Sequence, residues 1–304
     1  MPREAQPSIN ERDFILQALS ENTRLDSRAL DAYRNLDITF GDEYGNADVQ
    51  LGQTRVLTKI SASLASPFPD RKFDGIFTIT AELSPLASPA FEVGRPSDLE
   101  IHLTTTLDTL LRRSSALSTE SLCLIAGQRV WHVRATLHVL SHSGSLLTCA
   151  SISLLAALLH FRIPASEVKG GELTVYNTVE RDPVPLALLH HPLCMTLGFF
   201  QLVESRAEEE GEGRVGVIAD PTLAEEQVCA GEMIVGANKE GEVVLVEKNG
   251  GVEVGGLRVL QCVGLGGRIV NEIVKAVFDA VERDAKQRDR GGVMSRELRA
   301  ENDR

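Results

Sequence analysis

The stretch Cys262-Val263-Gly264-Leu265-Gly266-Gly267-Arg268-Ile269 combines glycines with a cation, the residue types that let a backbone approach a phosphate closely. A dinucleotide loop needs a third glycine where Ile269 stands, then a second strand and an acidic residue about 20 positions on. The third glycine is absent and only a helix and a charged tail follow, so the run reads as a tight turn from a strand into a helix, and no cofactor is expected. His190, His191 and Cys194 form the only close group of soft metal ligands. They lack a fourth ligand, and adjacent residues on a strand face opposite sides, so no metal site is expected. Ser143 and Ser145 lie outside any G-x-S-x-G elbow. His132 and His138 sit in an alternating stretch and read as neutral or surface histidines. Arg112 and Arg113 close an apolar helix, where cations favour the negative end of the dipole; the same pair could also meet a phosphate.

These residues are set among short elements. Glu11 to Asn22 carries Phe14, Ile15, Ala18 and Leu19 at helical spacing. Asn35–Phe40, Ala47–Leu51, Arg55–Ala65 and Phe73–Leu83 alternate between turn signals, which predicts an antiparallel meander. Ser97 with Glu100 three residues later forms a capping box for a helix with Leu99, Leu103, Leu107, Leu110 and Leu111 on one stripe. Gln128–Leu140 then reads as a strand and Thr148–Phe161 as an almost wholly apolar helix, stopped before Pro164. Further strands are expected at Glu172–Thr178, Leu186–Phe200, Arg214–Ala219, Glu232–Ala237 and Glu242–Lys248, with an acidic loop at Glu204–Gly213. Asn238–Gly241 and Asn249-Gly250-Gly251 read as hairpin turns. A long helix over Arg268–Lys286 precedes a charged tail, Gln287–Arg304, too poor in apolar residues to order itself.

The 304 residues are 43% hydrophobic and 24% charged, enough to bury a core without disulfides or metals. The longest apolar runs, Ser153–Phe161 and Val184–Leu189, are about half a bilayer span, and no apolar leader opens the chain. A protein neither membrane-bound nor secreted is expected. Cys123, Cys149, Cys194, Cys229 and Cys262 are scattered in apolar contexts and read as reduced core thiols. A net charge of -12 argues against tight RNA binding by the chain alone, since phosphates are neutralised by Lys and Arg.

Several motifs together resemble the ribonuclease PH family, in particular its eukaryotic exosome members. Arg24-Leu25-Asp26-Ser27-Arg28 is similar to the family's R-x-D-G-R opening, with Ser27 for glycine, and Arg34–Gly41 to its first strand. Gly52–Val56, Glu82–Pro85, Arg112–Leu117, Glu180–Leu186 and Asp220-Pro221-Thr222 with Glu225 and Glu226 continue the resemblance to about residue 285. It implies an α+β fold of two tandem α/β subdomains of ribonuclease PH type, with mixed sheets packed on helices and a first half like ribosomal protein S5 domain 2. The implied division is a lead-in over 1–30, domains over 31–165 and 185–286, and a disordered tail over 287–304.

Active members carry a Gly-Gly-Thr/Ser-Arg type loop for phosphate; the matching stretch here is Ser143-Gly144-Ser145-Leu146-Leu147-Thr148. They also carry an essential aspartate, and the region matched to it, His190–Cys194, holds no carboxylate. The resemblance therefore implies a catalytically inactive subunit of a six-membered ring of ribonuclease PH-like chains. Cap subunits with RNA-binding domains would cover that ring, and its channel would pass single-stranded RNA to a separate hydrolytic exoribonuclease. Arg112, Arg113, Arg71 and Lys72 are the implied RNA contacts, and the nucleus, nucleolus and cytoplasm the implied compartments. An active phosphorolytic exoribonuclease and a free-standing RNA-binding protein are the alternatives.

Overall fold

The computed structural model describes residues 7–288 apart from 93, 95, 171, 178, 179, 203–213 and 252. Helix α1 (Ile9–Ser20) starts at Ser8, whose hydroxyl accepts from the Glu11 amide while the Glu11 carboxylate accepts from the Ser8 amide. Strands β1 (Leu36–Phe40), β2 (Asn46–Leu51) and β3 (Thr54–Ala65) then form the expected meander, each pair antiparallel. Strand β4 (Ile76–Leu83) departs from it, because β6 (Arg129–Ser141) inserts between β3 and β4 and pairs with β4 in parallel. A parallel neighbour needs a long crossover, and α2 (Asp98–Asp108), capped by Ser97, supplies it together with a π turn at Thr109–Arg113. Short strand β5 (Cys123–Ile125) also pairs with β6.

Helix α3 (Leu146–His160) is apolar all round because both its faces are covered, by β2 and β3 on one side and β11 on the other. Strands β7 (Arg162–Ile163), β8 (Ser166–Lys169), β9 (Glu172–Val175) and β10 (Val184–Pro185) make two small ribbons before the second sheet. That sheet is wholly antiparallel and ordered β12-β11-β13-β14, from β11 (Leu193–Leu202), β12 (Arg214–Ala219), β13 (Gly231–Ala237) and β14 (Val243–Gly250). The six-residue helix α4 (Leu223–Val228) joins β12 to β13. Buried apolar residues from both sheets, α3 and the last helix, α5 (Gly256–Arg288), form one continuous cluster.

Three expectations about the last third change. The glycine run at 264–267 is not a strand-to-helix turn but lies inside α5, a 33-residue helix. Gly266 is there for contact, since a Cβ would come within 2.9 Å of Val235 on β13. Asn249-Gly250-Gly251 is no hairpin either, for β14 leads straight to α5; the β13–β14 turn is Asn238–Gly241 alone, closed by Asn238 N–H on the Glu242 carbonyl. Finally, α5 continues through Gln287 and Arg288, residues that composition assigns to the tail. Arg288 donates to the Gly41 and Asp42 carbonyls and stacks on Tyr44, which secures the helix end. The remainder of the tail and the acidic stretch Glu204–Gly213 lie outside the described residues.

Candidate functional site

The loop before α3 is held from three sides. The Arg34 guanidinium donates to the Ser143 and Gly144 carbonyls at 2.8 and 2.9 Å, and the Thr54 hydroxyl donates to Gly144 O at 2.7 Å. Leu223 N–H reaches Ser143 O at 3.2 Å. Gly144 has φ +87°, and a Cβ there would lie 2.5 Å from Leu223 N. Ser145 follows in the left-handed region and begins α3.

The helix terminus that results is occupied from within. Ser145 N–H donates to Glu226 Oε1 at 2.5 Å, placing a carboxylate at the positive end of the α3 dipole. Beside it lies a cavity of about 150 Å³ walled by Leu99, Leu103, Leu146, Leu147 and Ile234, with Glu226 and Glu232 as its acids. His102 and His142 also line it, and no lysine or arginine does among the described residues. Burial pushes the Glu226 carboxyl up to about 7, the nearby Glu232 charge adds to the rise, and the Ser145 amide opposes it. Asn249 Nδ2 donates to Glu232 Oε1 at 3.3 Å. The cavity thus sets two acids, and no lysine or arginine among the described residues, beside the α3 terminus.

A second cluster joins the motif residues of the N-terminal lead-in to the second sheet. Arg24 clamps Glu225 through Nε and Nη2 at 3.0 and 2.6 Å and donates to the carbonyls of Ala219 and Asp220. Arg34 clamps Asp220 through Nε and Nη2 at 2.9 and 2.8 Å. Arg28 reaches Asp220 Oδ2 at 3.1 Å and also pairs with Asp26. The side chains of Arg24 and Asp220 are 0% exposed, so the charges are compensated inside the protein.

The basic candidates sit elsewhere. Arg112 is exposed but held by Asp108, with Nε and Nη2 at 2.5 and 2.6 Å from its two oxygens, and that bond raises its pKa. Arg113 is exposed and takes part in no ion pair among the described residues. Arg71 and Lys72 are exposed on the β3–β4 loop, fixed by Gly127 N–H on the Lys72 carbonyl at 2.9 Å. That contact is at the start of β6, whereas the α3 loop follows its end, ~40 Å along a 13-residue strand. Gly75 N–H donates to Thr119 O at 2.9 Å, which ties the Arg71 loop to the segment following Arg113.

His190 and His191 diverge, His190 meeting Ser114 Oγ at 3.2 Å and His191 standing edge-on to Phe278. His138 pairs with Glu82 at 3.1 Å and His132 with Thr78 at 3.0 Å. Cys194 is buried behind the first turn of α3, its thiol pushed up to about 12 by burial. The carboxylates facing the α3 terminus come instead from α4 and β13. The Glu225-Glu226 motif marks the first of them in the sequence, but nothing local marks Glu232, which reaches the cavity only through strand pairing.

This arrangement, a mixed sheet and an antiparallel sheet clasping one apolar helix whose N-terminal loop faces a cavity, is that of an RNase PH-type protein. Residues 32–164 match the 3' exoribonuclease family, domain 1, and the chain belongs to the RNase PH family. It is 42% identical over 289 residues to "Exosome complex component rrp45" of Schizosaccharomyces pombe, covering 95% of this chain and 96% of that one. It is likewise 42% identical over 282 residues to the Homo sapiens protein named "Exosome complex component RRP45", spanning 93% of this chain but 62% of the human one. Among solved structures it resembles one described as "archaeoglobus fulgidus exosome with RNA bound to the active site", with TM-score 0.72 and 26% identity over 88% of this chain and 97% of that chain. An "Archaeal exosome core" chain, 22% identical with TM-score 0.68 over 88% of this chain and 96% of its own, shares the fold.

Proposed function

We propose that this chain is a non-catalytic, structural subunit of the RNA exosome ring. It joins other RNase PH-type subunits in a hexameric ring under cap subunits with RNA-binding domains. The ring forms the channel through which single-stranded RNA passes to a hydrolytic 3'-5' exoribonuclease, in RNA decay and rRNA processing in the nucleus, nucleolus and cytoplasm. The likeness to relatives named as exosome components supports the ring. One observation carries the lack of catalysis: the α3 terminus, where phosphate would bind, holds Glu226 and is walled by Leu146 and Leu147, with no lysine or arginine in its cavity among the described residues. Preorganised positive charge is the main catalytic requirement for moving a phosphoryl group.

Glu232 is the single feature that favours the phosphorolytic alternative, since it sets a carboxylate in that cavity. The two readings part in one experiment: native mass and RNA decay, with phosphate and with magnesium, for the chain alone and mixed with RNase PH-type partners. A defined hetero-oligomer in which no phosphate-dependent decay traces to this chain is expected. Release of nucleoside diphosphates that disappears with Glu232→Gln establishes the phosphorolytic enzyme instead.

A further inference from the structure

The β3–β4 loop presents two aromatic rings to solvent. Phe68 is 60% and Phe73 69% exposed, against 5% for Phe77 a few residues on in β4. The loop is built to hold them. Pro69 occupies the second position of a turn closed by Arg71 N–H on the Phe68 carbonyl at 3.1 Å, and proline presets the backbone angle which that position needs. The Lys72 carbonyl and Gly75 amide are each tied to neighbouring backbone at 2.9 Å. Arg71 and Lys72, both exposed, lie between Phe68 and Phe73 along the chain, and Arg129 is exposed at the adjoining start of β6. Asp70 and Asp74 share the loop, so its charge is only slightly positive; none of these five charged side chains is in an ion pair among the described residues.

We propose that Phe68 and Phe73 form a stacking platform for the bases of single-stranded RNA, with Arg71, Lys72 and Arg129 against its phosphates. Every base offers a π face, so stacking on exposed aromatics captures single strands without regard to sequence. With two carboxylates offsetting two of three cations, stacking outweighs charge here and the salt dependence is shallow. The inference rests on the reading of this chain as part of an RNA channel, yet the binding belongs to the chain itself and is measured without a ring.

The full chain carrying Phe73→Trp provides the test, because its only other tryptophan, Trp131, is 5% exposed. Oligouridine added at low salt should quench the new indole, and duplex RNA of equal length should not. Phe68→Ala with Phe73→Ala should weaken oligouridine binding roughly a hundredfold, about tenfold per ring, while Phe→Tyr at both positions retains it. Absence of quenching, or unchanged affinity in the double alanine variant, overturns the proposal. So does loss of a neighbouring subunit from the ring with RNA affinity intact, which would make the rings a protein contact. Failure of the chain to enter any ring would overturn the proposed function and leave the quenching result standing.

Discussion

Glu225 and Glu226 are consecutive on α4 and meet opposite surroundings. Glu225, 1% exposed, receives both branches of the Arg24 guanidinium and the Thr222 amide. Glu226 receives one amide, from Ser145, and faces a second carboxylate. A single helical step thus separates a saturated ion network from a cavity lined, among the described residues, by no lysine or arginine. The difference separates two uses of family motifs. Arg24, Arg28, Arg34, Asp220 and Glu225 are engaged by the fold, joining the lead-in, the α3 loop and the second sheet. The chemistry of the neighbouring terminus depends on other residues, and here those are leucines and acids.

The comparison breaks most severely at Arg34. Arg34→Ala takes the two-pronged clamp from Asp220, which is 0% exposed and is left with Arg28 and the residue-34 amide, and removes one of two donors from each of the Ser143 and Gly144 carbonyls. A loss of ~3 kcal/mol in urea unfolding is expected, the low end for one partner removed from a buried pair, because Arg28 still compensates Asp220. Arg34→Lys should recover little, since an ammonium cannot hold two carboxylate oxygens and two carbonyls in one plane. Gly144→Ala comes next, at about 2–3 kcal/mol, because the new Cβ meets backbone and the left-handed angle is strained. Normal stability in the Gly144→Ala variant would mean that the α3 loop is less tightly clamped than the Arg34 network indicates.

Glu226→Gln sharpens the contrast through pH. The Glu226 pKa rises in the folded protein from the ordinary 4.5 to about 7, so the folded chain holds this proton more tightly than the unfolded one. Stability from this group is complete below about 4.5 and declines as pH rises through about 7. The glutamine variant should lack that decline, gaining on the order of 2 kcal/mol on the wild type between pH 5 and pH 8 in urea titrations. Glu225→Gln, by contrast, should be destabilised across the range, because it abandons Arg24.

Periodicity and turn chemistry made much of this molecule legible. Ser97, the alternating strands and the apolar Thr148–Phe161 run identify elements that form close to where they were expected. Pairing partners were less accessible: β4 alternates equally well whether its neighbour is β3 or β6, because alternation specifies faces and not topology. The glycines at 264–267 misled because local propensity favours a turn, whereas packing of Gly266 on Val235 keeps the helix continuous. The cavity itself was half legible. Leu146 and Leu147 showed that donors were missing, but Glu232 came into view only with the register of β13.

The smallest expected effect on stability concerns Arg112 and Arg113, which are adjacent in sequence and unequal in setting. Both are exposed, so replacing either with glutamate should alter stability by within about 0.5 kcal/mol. Their value to RNA should differ. The charge of Arg112 is largely neutralised by two short bonds to Asp108, and a phosphate would have to displace that carboxylate. Arg113 carries no such partner among the described residues and is free to release counterions from a strand passing it. In a reconstituted ring, Arg113→Glu should therefore weaken RNA binding and lower the salt slope by about one, whereas Arg112→Glu should do less. Equal losses from the two would show that Asp108 yields Arg112 to RNA, and no loss from either would remove this helix end from the RNA path.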